Sequence, residues 1–333
     1  MTSAFNRRML CFSAVALPLA ALSRPAVAAG YPSRPVRIIT QGAAGSGPDI
    51  IARLVADKLS RLWQQPVTIL NHPGAGGVTA ARAAVAAEPD GYTLYIPTIT
   101  TFVIMPEIQP DLPIGMSRDF VHIGFVAETP MMFGISPAMG TGSLSEFVAR
   151  TRNRPDGVFY AANSHGSLPH LTGEMLRKQT GANITFVPYP GALAGLQDLA
   201  GGRIGMIVES VGALTGAVRG GSVMPLAVAS TRRVPSLPDV PTASETLPGF
   251  EALGWFVLSA PAKTPADIVQ RVNQDLNRVL AEADLVGKLQ DLGAFPRSLS
   301  PTETQAFIAK EVRQWRPKVR ELGLAQSGTA PTR

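Results

Sequence analysis

Only one cysteine occurs in the 333-residue chain, Cys11, and it sits inside an N-terminal stretch with the marks of a cleaved leader. Without that leader the chain has no thiol, which excludes disulfides, thiolate catalysis and cysteine-held metal. The four histidines are His72, His122, His165 and His170, and no two have the His-x-x-x-His spacing of a helical zinc site. Neither a Gly-x-Ser-x-Gly elbow nor a Walker loop is present. Aromatic residues make up 6% of the chain and nowhere interleave with runs of Lys and Arg, which argues against a nucleic-acid surface. Beyond the leader no apolar run approaches the length of a membrane span. These absences leave no predicted catalytic residue, metal ligand or cofactor, and the chain is expected not to be an enzyme.

The leader is read from charge and residue size. Arg7 and Arg8 precede an apolar run, Cys11 to Leu22, and Pro25-Ala26-Val27-Ala28 places small residues where a signal peptidase needs them. Residues 1–28 are therefore predicted to be a signal peptide cleaved near Ala28, and the mature chain is expected in the periplasm. Removing it takes away three arginines and no acid, so the formal net charge falls from +6 to +3.

Short β-branched runs then alternate with amphipathic segments. Strands are predicted at Val36–Thr40, Val67–Asn71, Tyr92–Ile96, Met132–Ile135, Val158–Ala161, Ile184–Pro188, Ile204–Val208 and Met224–Ala229, with helices such as Asp49–Trp63 and Pro169–Gln179 between them. That order is the signature of parallel-sheet α/β units. Near the C-terminus Thr264-Pro265-Ala266-Asp267 and Ser300-Pro301-Thr302-Glu303 read as helix starts. Length points to two domains.

Several strand-to-helix turns are rich in Gly and Ser: Gly45-Ser46-Gly47, Gly74-Ala75-Gly76-Gly77, Ser164-His165-Gly166-Ser167 and Pro190-Gly191. A helix N-terminus carries unpaired N–H groups and partial positive charge, so such a turn seats an anion without an arginine. Any one of them is ordinary loop chemistry. Four at the carboxyl ends of predicted strands, where open α/β sheets bind ligands, point to a small carboxylate or dicarboxylate. His165 and His170 flank Gly166-Ser167, within reach of a ligand or of a local polar contact. His122 lies in an apolar run and is expected to be structural. Asp49 falls in a first helical turn, where its charge suits the dipole or receives a donor from a ligand.

Taken in order, further motifs identify a family. Tyr31-Pro32-Ser33-Arg34-Pro35-Val36-Arg37, Asn71-His72-Pro73-Gly74-Ala75-Gly76-Gly77, Pro89-Asp90-Gly91-Tyr92-Thr93-Leu94, Val187-Pro188-Tyr189, Leu237-Pro238-Asp239-Val240-Pro241-Thr242, Trp255-Phe256 and Ala260-Pro261-Ala262-Lys263-Thr264-Pro265 occur at family spacing. From Tyr31 to about Leu324 the chain resembles the Bug family, the extracytoplasmic solute receptors of tripartite tricarboxylate transporters. The resemblance implies an α/β, two-lobed periplasmic binding protein of Venus-flytrap, type II-like fold with two crossing strands, near Val121–Glu128 and Glu251–Ala260. Lobe 1 would comprise residues 29–125 and 252–333, and lobe 2 residues 126–251. It further implies a small-molecule carboxylate as ligand, membrane transporter subunits as partners and action as a monomer. Carried over, the ligand-binding residues are Gly45, Ser46, Asp49, Gly74, Ala75, Gly76, Gly77, Thr98, Thr100, Gly166, Ser167, His170 and Tyr189.

The chain also departs from the family. The first loop, Thr40 to Asp49, lacks the aromatic and the two prolines usual there, which predicts a looser loop and a wider pocket. Ser167-Leu168-Pro169-His170 replaces a run of serines, which predicts a more apolar pocket and an apolar or aromatic carboxylate. A receptor serving a sensor instead of a transporter fits the same residues. A nicotinamide-dependent oxidoreductase using the Gly42–Gly47 loop is a remote alternative, because no Tyr-x-x-x-Lys pair exists to transfer its proton.

N-terminal sequencing of the periplasmic protein is expected to begin at Ala29; a mature chain still beginning at Met1 refutes the leader assignment.

Overall fold

The structure, a computed structural model, describes residues 30–115 and 118–324. The leader and its cleavage site lie outside the described residues. The chain begins with β1 (Val36–Thr40), α1 (Gly47–Trp63), β2 (Val67–Asn71), α2 (Val78–Val85), β3 (Thr93–Ile96) and α3 (Met105–Ile108). A 16-residue strand, β4 (Phe120–Ile135), leads into α4 (Leu144–Arg152), β5 (Val158–Ala162), α5 (Leu168–Thr180) and β6 (Ile184–Pro188). Then follow α6 (Ala192–Ala200), β7 (Met206–Ser210), α7 (Val211–Arg219), β8 (Met224–Val228) and α8 (Ala243–Thr246). A second long strand, β9 (Leu253–Pro261), precedes α9 (Ala266–Leu280), α10 (Ala283–Asp291), β10 (Phe295–Pro296) and α11 (Pro301–Glu321).

Strands β2, β1 and β3 are parallel, with Ile38 between Ile69 and Leu94. β9 joins β3 antiparallel at Tyr95 and Ser259. β4 then lies antiparallel along β9, from Phe120 opposite Pro261 to Pro130 opposite Leu253. Past that point β4 pairs with β7 and β8, and β7, β5 and β6 continue in parallel. One strand thus belongs to two sheets. The crossings expected from the sequence fall within β4 and β9, and the separate strand expected at Met132–Ile135 is the far end of β4.

Two sequence expectations shift. β7 runs Met206–Ser210, two residues beyond the expected strand, because its pairing with β5 starts at Met206 opposite Tyr160. Thr264 does not cap α9: Pro265 takes the N-cap position and the Thr264 hydroxyl has no partner. At α11 the start signal works fully, with Ser300 and Glu303 forming a reciprocal capping box.

Along α9 the apolar residues Ile268, Val269, Val272, Leu276, Val279 and Leu280 recur at helical spacing, which places them in the core. Full burial of each such side chain stabilises by about 1.5–3 kcal/mol. They pack with Val55 and Leu59 of α1 and with Val36, Ile38, Leu94 and Leu258 of the sheet. The one amide on that buried face, Asn273, donates to the carbonyls of Ile123 and Leu299, both at 2.8 Å, so it ties β4 to the approach to α11. Gly124 makes room for this contact. A Cβ there would lie 2.9 Å from Asn273 Nδ2 and 2.9 Å from Leu276 Cδ2. Gly124→Ala is therefore expected to lower unfolding free energy by roughly 1–3 kcal/mol in a urea titration, the usual cost of overpacking; an unchanged midpoint would contradict this packing.

Candidate functional site

Every parallel strand delivers its C-terminal turn to one cavity of about 370 Å³. After β1 come Gln41–Ala43 and Ser46–Pro48; after β2, Pro73, Gly74, Gly76 and Gly77; after β3, Thr98–Thr100. From the other sheet come Asn163, Ser164 and Ser167–Pro169 after β5, Tyr189–Ala192 after β6, and Ser210 with Ala213 at the start of α7. The crossing strands add Thr129 and Met131 from β4 and Gly254–Phe256 from β9. This is the carboxyl-end crevice of an open α/β sheet, doubled.

The two halves touch across it. Leu168 N–H donates to Thr100 Oγ1 at 3.2 Å. Gly47 stands so close to α7 that an added Cβ would lie 3.0 Å from Ser210 Oγ.

Of the residues carried over as ligand-binding, Ser46, Gly74, Gly76, Gly77, Thr98, Thr100, Ser167 and Tyr189 line the cavity. Gly45, Asp49, Ala75, Gly166 and His170 do not. The Asp49 carboxylate is buried in α1, where it accepts from Gly45 N–H at 2.8 Å, Arg53 Nε at 2.9 Å and Asn71 Nδ2 at 2.7 Å. Burial raises its pKa, but these hydrogen bonds and the Arg53 charge outweigh that and hold it below the usual range. Asp49 therefore holds the loop in place instead of facing a ligand, and Gly45 is its partner. Asn71 Nδ2 also donates to the Gly42 carbonyl at 2.7 Å, and Gln41 Nε2 to Thr98 Oγ1 at 3.0 Å. The loop lacking prolines is thus tied by side chains, contrary to the looser loop expected.

His170 serves its own turn. Its Nδ1 accepts from Gly166 N–H at 3.1 Å, and its ring lies on Phe186 with centroids 3.9 Å apart. Burial first, then the nearby His165 and Arg177, push its pKa down to about 3, so the ring is neutral. Gly166 has φ +76° and packs on Ile108, which explains the glycine without a ligand. Ala75 is exposed with φ 47°. His122 is buried in β4 as expected, its Nδ1 3.1 Å from Ser259 Oγ, and burial lowers its pKa to about 4.

The Ser46 hydroxyl has a different environment. Ser46 is the N-cap of the 17-residue α1 yet makes no side-chain capping bond, and its buried Oγ has no partner. Ser167, by contrast, caps α5 through His170 N–H at 3.3 Å. Tyr189 commits its hydroxyl to Asp198 at 2.6 Å, leaving its ring to the cavity. Ile99, Met131, Leu168, Pro169, Trp255 and Phe256 make much of the remaining wall apolar.

Sequence reasoning missed Gln41, Asn163, Ser210 and above all Glu209. Glu209 is the last-but-one residue of β7, lines the cavity and is buried. Its Oε1 accepts from Ser210 N–H at 2.8 Å. Burial pushes its carboxyl above the ordinary glutamate range, against the pull of hydrogen bonds from Ser210 and Asn163. No Lys, Arg or His is found among the described residues of the wall. The missed signal was a serine N-cap reached directly from the strand, without the glycine-rich turn that precedes Ser46 and Ser167.

A cavity between two α/β sheets hinged on paired strands, walled by helix N-termini and apolar side chains, defines a solute-binding protein of the periplasmic class. Residues 51–324 match the profile of the TctC family, the tripartite tricarboxylate transporter family receptors, and the chain belongs to that family. It is 32% identical over 318 residues to the protein BugT of Bordetella pertussis (strain Tohama I), covering 95% of this chain and 98% of that one. An R. palustris protein solved with adipate is 30% identical with a TM-score of 0.85, over 89% of this chain and 99% of that chain. MatC from Rhodopseudomonas palustris, solved with bound malate, is 30% identical with a TM-score of 0.80, over 87% and 100%. These relatives are binding proteins, not enzymes, which sets aside the oxidoreductase alternative. Among the described residues no helix is long and apolar enough to cross a membrane.

The backbone itself requires glycine at position 77. Residues 74–77 all have positive φ, and Gly77, at φ +94°, would drive a Cβ into the side chains of Thr101 and Gln41. Gly77→Ala is expected to lower stability by about 1–3 kcal/mol as well as weaken binding. Thermal melting beside calorimetric titration checks both; a variant that melts like the parent refutes the structural part.

Proposed function

We propose that this chain is an exported, monomeric receptor that captures a small carboxylate with an apolar body and passes it to membrane transporter subunits. The observation that carries the reading is Ser46. A hydroxyl on a cavity-lining N-cap residue that neither caps its helix nor has another hydrogen-bond partner is free to turn towards an acceptor in the cavity. A carboxylate there would accept from Ser46 and lie at the positive end of the α1 dipole. The carboxylates in the related structures, adipate and malate, support this chemistry. The ring of Tyr189 and the side chains of Met131 and Leu168 suit an apolar or aromatic body.

The same reading assigns residues 29–125 with 252–333 to one lobe and 126–251 to the other. β4 and β9 would serve as the hinge, with the Thr100 to Leu168 hydrogen bond as a contact made on closure.

Native mass spectrometry of protein purified from its host is expected to show a retained small carboxylic acid. Ser46→Ala should weaken that acid's binding roughly 10- to 100-fold by calorimetry, the range for a hydrogen bond to a charged group. A retained ligand without a carboxylate, or an unchanged Kd in Ser46→Ala, would overturn the proposal.

A further inference from the structure

Glu209 is an ionisable side chain buried at the cavity wall without a counter-charge. Its partners are neutral, the Ser210 N–H at 2.8 Å and the Asn163 amide. A buried carboxyl is costly to keep unless something pairs with it. Among the described residues no cation pairs with it, and no Lys, Arg or His lines the cavity. Glu209 lines the cavity from the end of β7, and Ser46 lines it from the turn before α1.

We propose that Glu209 selects the far end of the ligand, requiring a hydrogen-bond-donating group there, an ammonium above all, and rejecting a second carboxylate. The inference rests on the carboxylate reading of the Ser46 seat. One carboxylate fits helix N-termini. A second, brought towards Glu209 in a cavity without cations, forces it to hold its proton or face like-charge repulsion at reduced dielectric. An ammonium instead opposes the burial that raises its pKa and keeps it ionised. An amine at the same place forms a charge-assisted pair with a group that has none. A buried unpaired partner discriminates strongly, since the wrong ligand leaves it unsatisfied.

The test uses matched acids differing only at the far end: 6-aminohexanoate against adipate, and 4-(aminomethyl)benzoate against terephthalate. Each is titrated calorimetrically at pH 8 into the wild-type mature protein and into Glu209→Gln. In the wild type the amino acid of at least one pair is expected to bind tenfold or more tightly than its dicarboxylate. Glu209→Gln, confirmed as folded by its melting temperature, should bring that ratio down at least tenfold. A wild type that binds the dicarboxylates more tightly overturns this proposal and leaves the carboxylate reading standing. A ratio unchanged by Glu209→Gln also overturns it. No binding of any of the four acids refutes both readings. The wild-type comparison decides the matter even if Glu209→Gln does not fold.

Discussion

The antiparallel pairing of β4 with β9 is the contact on which the architecture depends. Eleven residues of β4, from Phe120 to Pro130, lie along β9, and the same strand then continues into the second sheet. Both sheets are therefore aligned by one backbone. Alignment matters because the parallel strands deliver helices whose N-termini must converge. If β4 ended at Pro130 and a loop carried the chain onward, the turns after β5, β6 and β7 would have no fixed relation to those after β1, β2 and β3. The bulges near His122–Gly124 and Phe125–Ala127 add local twist within this pair. The seating of α9 on it through Asn273 then fixes the bend from the outside.

From that alignment follows the electrostatic character of the cavity. Helix N-termini point backbone N–H groups at it, and no side-chain cation of the described residues lines it. Backbone donors have fixed directions and cannot swing out to water as lysines do, so they favour a defined position for an anion over general attraction. The cost is that nothing on the wall can neutralise a carboxyl belonging to the protein. Glu209 is thereby left with neutral donors, and burial sets its behaviour. His170, near the site, does not supply charge either, since burial keeps it neutral.

Much of the fold was legible because its signals are local. β1, β2 and β6 appear at the residues read from β-branched runs, and α9 buries the side chains its spacing selected. Burial of long-range partners was not legible. Asp49 and His170 sit in the turns where ligand contacts were expected, yet each is satisfied by its own loop. In sequence a polar residue beside a glycine looks the same whether it faces the cavity or the neighbouring backbone. Glu209 went unread for the opposite reason. A charge near the end of an apolar run marks the end of a strand under any pattern rule, whereas pairing with Met131 and Met132 of β4 carries β7 two residues further and takes the acid inside.

The site is consequently built in two layers with different residue types. Facing the cavity are backbone, hydroxyls, rings and one acid. Behind them Asp49, Asn71 and His170, with Gln41 at the wall itself, hold the turns by hydrogen bonds that leave the wall nearly free of charge. The second layer explains how the first loop keeps its shape without the prolines common in its relatives: Asn71 and Asp49 grip Gly42 and Gly45 from below, and Gln41 reaches across to Thr98. Side chains also take up N–H groups of the loop, Gly42 on Thr40 and Gly45 on Asp49, so the loop is held by the donors it would lose to prolines.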